Sequence, residues 1–109
     1  MSGTPRQHLT FGSRQGALDE AVGRLTEGLP LSFKLRDSSY LGEYYLARPA
    51  APYAASLKLH ANRDPVDGQP IRRDAPDQGL ILEAEDVADA KALTGLLAQM
   101  GFLPLTGNG

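Results

Sequence analysis

Residues 31–48 decide the fold expected for this chain, and they read Leu-Ser-Phe-Lys-Leu-Arg-Asp-Ser-Ser-Tyr-Leu-Gly-Glu-Tyr-Tyr-Leu-Ala-Arg. From Leu31 to Arg36 the apolar and polar residues alternate with period two, which is typical of a strand with one buried face. A second run, rich in aromatic and aliphatic residues, extends from Glu43 to Arg48. The stretch therefore predicts a β-hairpin.

The register of this hairpin follows from the pairs that would face the core. A four-residue loop, Ser38 to Leu41, places Leu35 opposite Tyr44 on the core side. A loop longer by one residue would put Leu46 opposite Lys34. We therefore expect the four-residue loop.

The same register determines which pairs lie on the outer side of the hairpin. Arg36 would lie beside Glu43 as an ion pair, and Lys34 beside Tyr45 as a cation–π contact. Tyr45 is thus expected to point away from the core, together with the two cations.

The flanking sequence predicts further strands and two amphipathic helices. Ser13 is expected to cap a helix that ends near Gly28, and Asp86 a helix that ends at Gly101. The polar segment 62–79 is expected to be a long loop. The further strands are predicted at His8–Phe11, Ala55–Ala61, Leu80–Glu85 and Phe102–Thr106.

This order indicates an α+β fold. We expect a two-layer sandwich with a mostly antiparallel sheet of five to six strands and both helices on one face. A ferredoxin-like arrangement with extra strands is one topology of this kind. Residues 8–106 would form this single domain, residues 1–7 a disordered tail and residues 107–109 a frayed end.

Composition makes several classes of function less favourable. The 109 residues carry 11 Lys and Arg against 13 Asp and Glu, and this net charge of −2 argues against nucleic-acid or anionic-membrane binding. There is no cysteine, which excludes disulfides and thiolate chemistry. No apolar run has the length of a signal peptide or membrane span, so a cytoplasmic protein is expected. The excess of arginine over lysine suggests a bacterial source.

The segment from Leu80 to Phe102, a strand followed by a helix, resembles the matching segment of CYTH (triphosphate-tunnel) enzymes. The Glu-x-Glu-x-Lys signature of that family is absent near the start of the chain. The resemblance therefore assigns no site residues.

No motif predicts catalysis, a cofactor or a metal site. His8 and His60, the only histidines, have no partner at ligand spacing. We therefore predict no cofactor, and expect the protein not to be an enzyme.

The leading prediction is a small non-catalytic protein-binding module, such as an inhibitor, an immunity-type protein, an adaptor or a regulatory subunit. Its surface would be the hairpin tip and the open face of the sheet, because exposed tyrosine with arginine is typical of interface hot spots. The partner is another protein, and a homodimer through an unpaired edge strand stays open. The residues expected to bind it are Tyr40, Leu41, Tyr45 and Arg36.

The alternative is a module that binds a small anionic ligand or nucleotide at cationic positions of the sheet face and at the turn before the first helix. The residues expected to bind the anion are Lys34, Lys58, His60, Ser13 and Arg14.

Overall fold

A computed structural model describes residues 7–14, 17–29, 31–39, 42–48, 53–72 and 75–105. Within these ranges the chain forms six strands and two helices, in the order β-α-β-β-β-β-α-β that the sequence predicts. The elements are β1 (Gln7–Ser13), α1 (Leu18–Gly28), β2 (Lys34–Ser38), β3 (Gly42–Ala47), β4 (Ser56–Ala61), β5 (Leu80–Val87), α2 (Ala90–Gln99) and β6 (Leu103–Pro104).

The six strands form one sheet in the order β2-β3-β4-β5-β1-β6, and every neighbouring pair is antiparallel. The predicted α+β sandwich with an antiparallel sheet is confirmed. Neither of the two described helices is long and apolar enough to cross a membrane.

The core lies between the two helices and one face of the sheet, called the helix face below. Phe11, Leu82 and Leu59 lie side by side across three strands, and all three are fully buried. Leu25 of α1 and Leu93 of α2 cover them and are fully buried as well. Each such side chain contributes about 1.5–3 kcal/mol to stability.

The hairpin register differs from the predicted one by one residue. Lys34 pairs with Leu46 and Leu35 pairs with Tyr45. The last pair joins Ser38 to Gly42, so the loop has three residues and the predicted four-residue loop was wrong. Gly42 has φ +72°, the left-handed conformation that commonly closes a three-residue hairpin loop.

This register exchanges the two adjacent tyrosines between the faces of the sheet. Tyr45 lies on the helix face beside Leu59, and Tyr44 lies on the opposite face beside His60. Arg36 therefore pairs with Tyr44 rather than with Glu43. The predicted outer pairs are wrong for the same reason.

Both predicted N-caps were misplaced. Ser13 is the last residue of β1, and its carbonyl accepts the Gly79 N–H at 2.7 Å. The N-cap of α1 is Ala17, which makes no side-chain cap bond. Asp89, not Asp86, caps α2, because its carboxylate accepts the Ala92 N–H at 3.1 Å.

The predicted end of α2 is confirmed. Gly101 has φ +90°, and its N–H donates to the carbonyl of Ala98. The Phe102 N–H donates to the carbonyl of Leu97 at 2.9 Å. These two bonds form a Schellman motif, which needs a residue in the left-handed conformation at this position.

The segment between β4 and β5 covers one end of the second sheet face, called the open face below. A Cβ atom at Gly12 would lie 2.7 Å from the side-chain oxygen of Gln78, and one at Gly42 would lie 3.5 Å from Pro65. Ile81 and His60 lie on this open face, yet they are only 0% and 1% exposed. The loop thus gives part of the open face a buried environment.

Asn62 holds this loop in place. Its Nδ2 group donates to the carbonyls of Ala75 at 2.9 Å and Gln78 at 3.0 Å. Its Oδ1 atom accepts the Arg72 N–H at 2.8 Å. One buried side chain therefore ties the strand end to three distant points of the loop.

Candidate functional site

The exposed part of the open face carries a row of side chains from four neighbouring strands. Lys34, Leu46, Lys58 and Glu83 lie side by side on β2, β3, β4 and β5. Lys34 is exposed, and the other three are partly buried. Two cations and an aliphatic group thus adjoin one carboxylate.

A second row runs parallel to the first. Arg36, Tyr44 and His60 lie side by side on β2, β3 and β4. The Nζ atom of Lys58 lies 5.6 Å from the centre of the Tyr44 ring, within the range of a cation–π contact. Below, the term cationic face denotes Lys34, Arg36, Lys58, Tyr44 and Leu46.

Among the described residues, Lys58 contacts the Tyr44 ring but forms no ion pair, and neither Lys34 nor Arg36 forms one. The hairpin register explains this, because it places Glu43 opposite Asp37 on the helix face, away from both cations. Their charge is available to a partner.

The carboxylate at the border of the cationic face already contacts two histidine side chains. His60 Nε2 lies 2.9 Å from Glu83 Oε2, and His8 Nε2 lies 3.5 Å from Glu83 Oε1. The hydrogen bond from His60 holds the pKa of Glu83 below its ordinary value. Burial acts in the opposite direction, and the charges of His60, Lys58 and His8 lower the pKa further.

His60 is fixed at both ring nitrogens. Its Nδ1 atom lies 2.9 Å from the carbonyl oxygen of Ala61, which can only accept, so Nδ1 donates. Its Nε2 atom faces the Glu83 carboxylate, which accepts when ionised. With 1% exposure, His60 supports Glu83 and is not accessible to a ligand.

Tyr45 lies on the other side of the sheet. Its hydroxyl donates to Asp19 Oδ1 of α1 at 3.0 Å. This hydrogen bond is the main cause of the raised pKa of Tyr45, and desolvation and the negative charge of Asp19 add to it. Tyr45 therefore ties β3 to α1 and lies away from the cationic face.

Four predicted site residues remain. Tyr40 and Leu41 lie outside the described residues, and Ser13 and Arg14 lie far from the cationic face. Ser13 is buried at the end of β1, and Arg14 pairs with Asp77 at 3.0 Å. Three strands lie between β1 and β2, which places Arg14 roughly 19 Å from the line of Lys34.

Sequence reasoning missed Tyr44 and Leu46 as members of the exposed face. Period-two alternation is also compatible with a hairpin register shifted by one residue. In that register Tyr44 lies opposite Arg36 and Leu46 lies opposite Lys34, so both could have been predicted on the exposed face. It also missed Asn62, for which the only local signal is its position just after a strand.

A polar cavity of about 500 Å³ lies beneath the 62–79 loop, lined by Arg14, Asn62, Arg63 and Asp77 among others. The charge of Arg14 is compensated by Asp77. The donors and the acceptor of Asn62 are used within the protein. This cavity therefore offers less to a ligand than the cationic face.

Comparison with known proteins gives no match: no family model, no curated protein and no solved structure is similar to the chain. No family match supports the resemblance of Leu80–Phe102 to CYTH enzymes. The function is therefore argued from the site itself.

Proposed function

We propose that this protein is a small non-catalytic binding module that docks on an acidic surface of another protein through the cationic face. The observation that carries the proposal is the arrangement of three cations around Tyr44 and Leu46 on the face of the sheet opposite to both described helices. Inhibitor, immunity-type, adaptor and regulatory-subunit roles all fit a binding surface of this kind.

The composition of the face suits a protein interface. Partly exposed Tyr44 and Leu46 supply apolar area at its centre. Arginine and tyrosine are enriched among the hot-spot residues near the centres of protein interfaces. Around them lie cations that form no ion pair within the described residues, and such cations speed the encounter with an acidic partner and disfavour basic ones.

The spacing of the charges favours an extended partner over a small anion. Lys34 and Lys58 lie two strands apart, roughly 10 Å between strand axes. Arg14, at the far side of the sheet, is already paired. The five residues predicted to bind an anion therefore do not surround one phosphate group, whereas an acidic protein surface can contact all three cations of the face.

Site-specific photocrosslinking tests the proposal. A photoreactive amino acid at Leu46 should capture one protein from a lysate of the source organism, and the same group at exposed Ala98 on α2 should not capture it. The captured protein is then purified and its affinity measured. Lys34→Glu with Arg36→Glu should weaken binding by at least about tenfold, with higher salt weakening the wild-type complex as well.

The matched control is Lys91→Glu, which changes an exposed cation on α2. It should leave the affinity within about twofold of the wild type. Equal loss in both variants would contradict docking at the cationic face. The small-anion alternative is correct if three results are obtained together. Inorganic phosphate or nucleotides raise the melting temperature, Lys34→Ala with Lys58→Ala removes that rise, and no protein is captured.

The hairpin tip stays part of the hypothesis as a sequence prediction. Tyr40→Ala with Leu41→Ala tests it separately in the same affinity measurement. The cytoplasmic location and the bacterial source also stay predictions from composition.

A further inference from the structure

The strand β2 forms one edge of the sheet. Among the described residues its only strand partner is β3, and four of its five residues are exposed. Within the part of the chain that the structure describes, the N–H and C=O groups on its outer side therefore face no strand. Such an edge can accept an added strand through main-chain hydrogen bonds.

The side chains of β2 alternate in chemistry across the two faces. Lys34 and Arg36 lie on the open face, as members of the cationic face. Leu35 lies on the helix face beside Tyr45 and is 54% exposed. An added strand would thus meet positive charge on one side and an uncovered leucine on the other.

A second copy of this chain is a poor partner for this edge. Two β2 strands that pair antiparallel in one continuous sheet must match residues of the same face. The possible registers place Lys34 against Arg36, Arg36 against Arg36 or Asp37 against Asp37. Like charges directly opposite each other are destabilising, so the edge is protected against self-pairing.

We propose that β2 accepts an extended strand of the partner in which acidic residues alternate with apolar ones. The carboxylates face Lys34 and Arg36, and an apolar side chain covers Leu35. This inference rests on the proposed function and adds how the acidic partner docks, namely as a seventh strand beside β2.

The test uses a fluorescent peptide, Glu-Val-Glu-Val-Glu-Val-Glu, and fluorescence anisotropy. We expect saturable binding that Lys34→Thr with Arg36→Thr weakens by at least about tenfold. Leu35→Thr should weaken it several-fold. The matched control is Leu103→Thr, at an exposed leucine on the opposite edge strand, which should not change binding.

A series of peptides with one N-methylated amide each distinguishes strand addition from contact of side chains alone. Only every second amide of a strand faces its neighbour. Methylation should therefore abolish binding at alternate positions and have little effect at the positions between them. Circular dichroism of each protein variant confirms that it is folded before binding is measured.

Failure of the inference and failure of the proposed function are separable. If the captured partner protein needs Lys34 and Arg36 but the methylated peptides show no alternation, strand addition is wrong and docking through the cationic face stands. Absence of saturable peptide binding also overturns strand addition. If neither the peptide nor any captured protein depends on these cations, both are wrong.

Discussion

At the scale of single residues, the pair of His60 and Glu83 decides the character of the open face. The sequence suggested a surface histidine that could hold an anion. The structure places His60 in a buried position, where its ring binds Glu83 and the carbonyl of Ala61. The available positive charge therefore comes from the lysine and arginine side chains nearby.

The Glu83 pair predicts a specific dependence of stability on pH. Because the pKa of Glu83 is lowered on folding from an ordinary 4.5, its stabilising contribution is present above that pH. It is lost as the pH falls through the lowered pKa of the folded state. Glu83→Gln should cost about 2 kcal/mol of unfolding free energy at neutral pH, since a hydrogen bond to a charged group is lost.

Urea denaturation between neutral and acidic pH measures this difference. The gap between the wild type and Glu83→Gln should shrink as the pH falls below the ordinary value of a glutamate. Glu27→Gln, at an exposed position of α1, should keep nearly the same stability as the wild type throughout. A gap of constant size across the pH range would show that Glu83 stabilises the fold only by packing.

At the scale of elements, the 62–79 loop is a structural part of the open face. Its bonds to Asn62 and its contact with Gly12 explain why Ile81 is buried on the side opposite to the helices. A polar loop of this length was expected from composition, but its packing over the sheet was not. The loop covers the end of the sheet near Ile81, and the row of Lys34, Leu46 and Lys58 lies farther from that end.

The loop should therefore depend on Asn62. Asn62→Ala removes three hydrogen bonds and leaves the buried carbonyl of Ala75 without this donor, so we expect a loss of about 2–3 kcal/mol in unfolding free energy. Limited proteolysis should cut within 62–79 faster in this variant. Arg63→Ala, at the exposed neighbouring position, serves as the control.

The Asn62 prediction fails if both variants are cut at the wild-type rate. If Asn62→Ala lowers the unfolding free energy without faster cleavage, Asn62 stabilises β4 and not the loop.

At the scale of the whole molecule, the described chain is elongated, with extents of 45 × 28 × 26 Å. The sheet order puts the β2–β3 hairpin at one side and the short β6 strand at the other. The cationic face lies near the hairpin side, next to the free edge of β2. Both proposals therefore concern the side of the sheet where β2 is the edge strand.

The charges of β2 predict that the protein does not dimerise through this edge. Sedimentation equilibrium should show a monomer, since self-pairing would oppose Lys34 and Arg36 to like charges. Lys34→Thr with Arg36→Thr removes the repulsion and should increase self-association. A wild-type dimer that this double variant dissociates would contradict the argument.

The amino-acid sequence by itself determined the type and order of the elements. Period-two alternation predicted β4 and β5, helical spacing predicted α2, and Gly101 predicted its end, because these signals depend on residues close together in the chain. The α+β class and the antiparallel sheet followed from them. The cationic positions Lys34, Arg36 and Lys58 were also predicted on the correct face.

Only the tertiary structure decided the hairpin register, the burial of His60 and the path of the loop. Adjacent Tyr44 and Tyr45 satisfy either register locally, and a slip of one residue exchanges the two faces. The bond from Tyr45 to Asp19, twenty-six positions apart in sequence, is part of the observed arrangement. Contacts of this kind join distant parts of the chain, so no local pattern contains them.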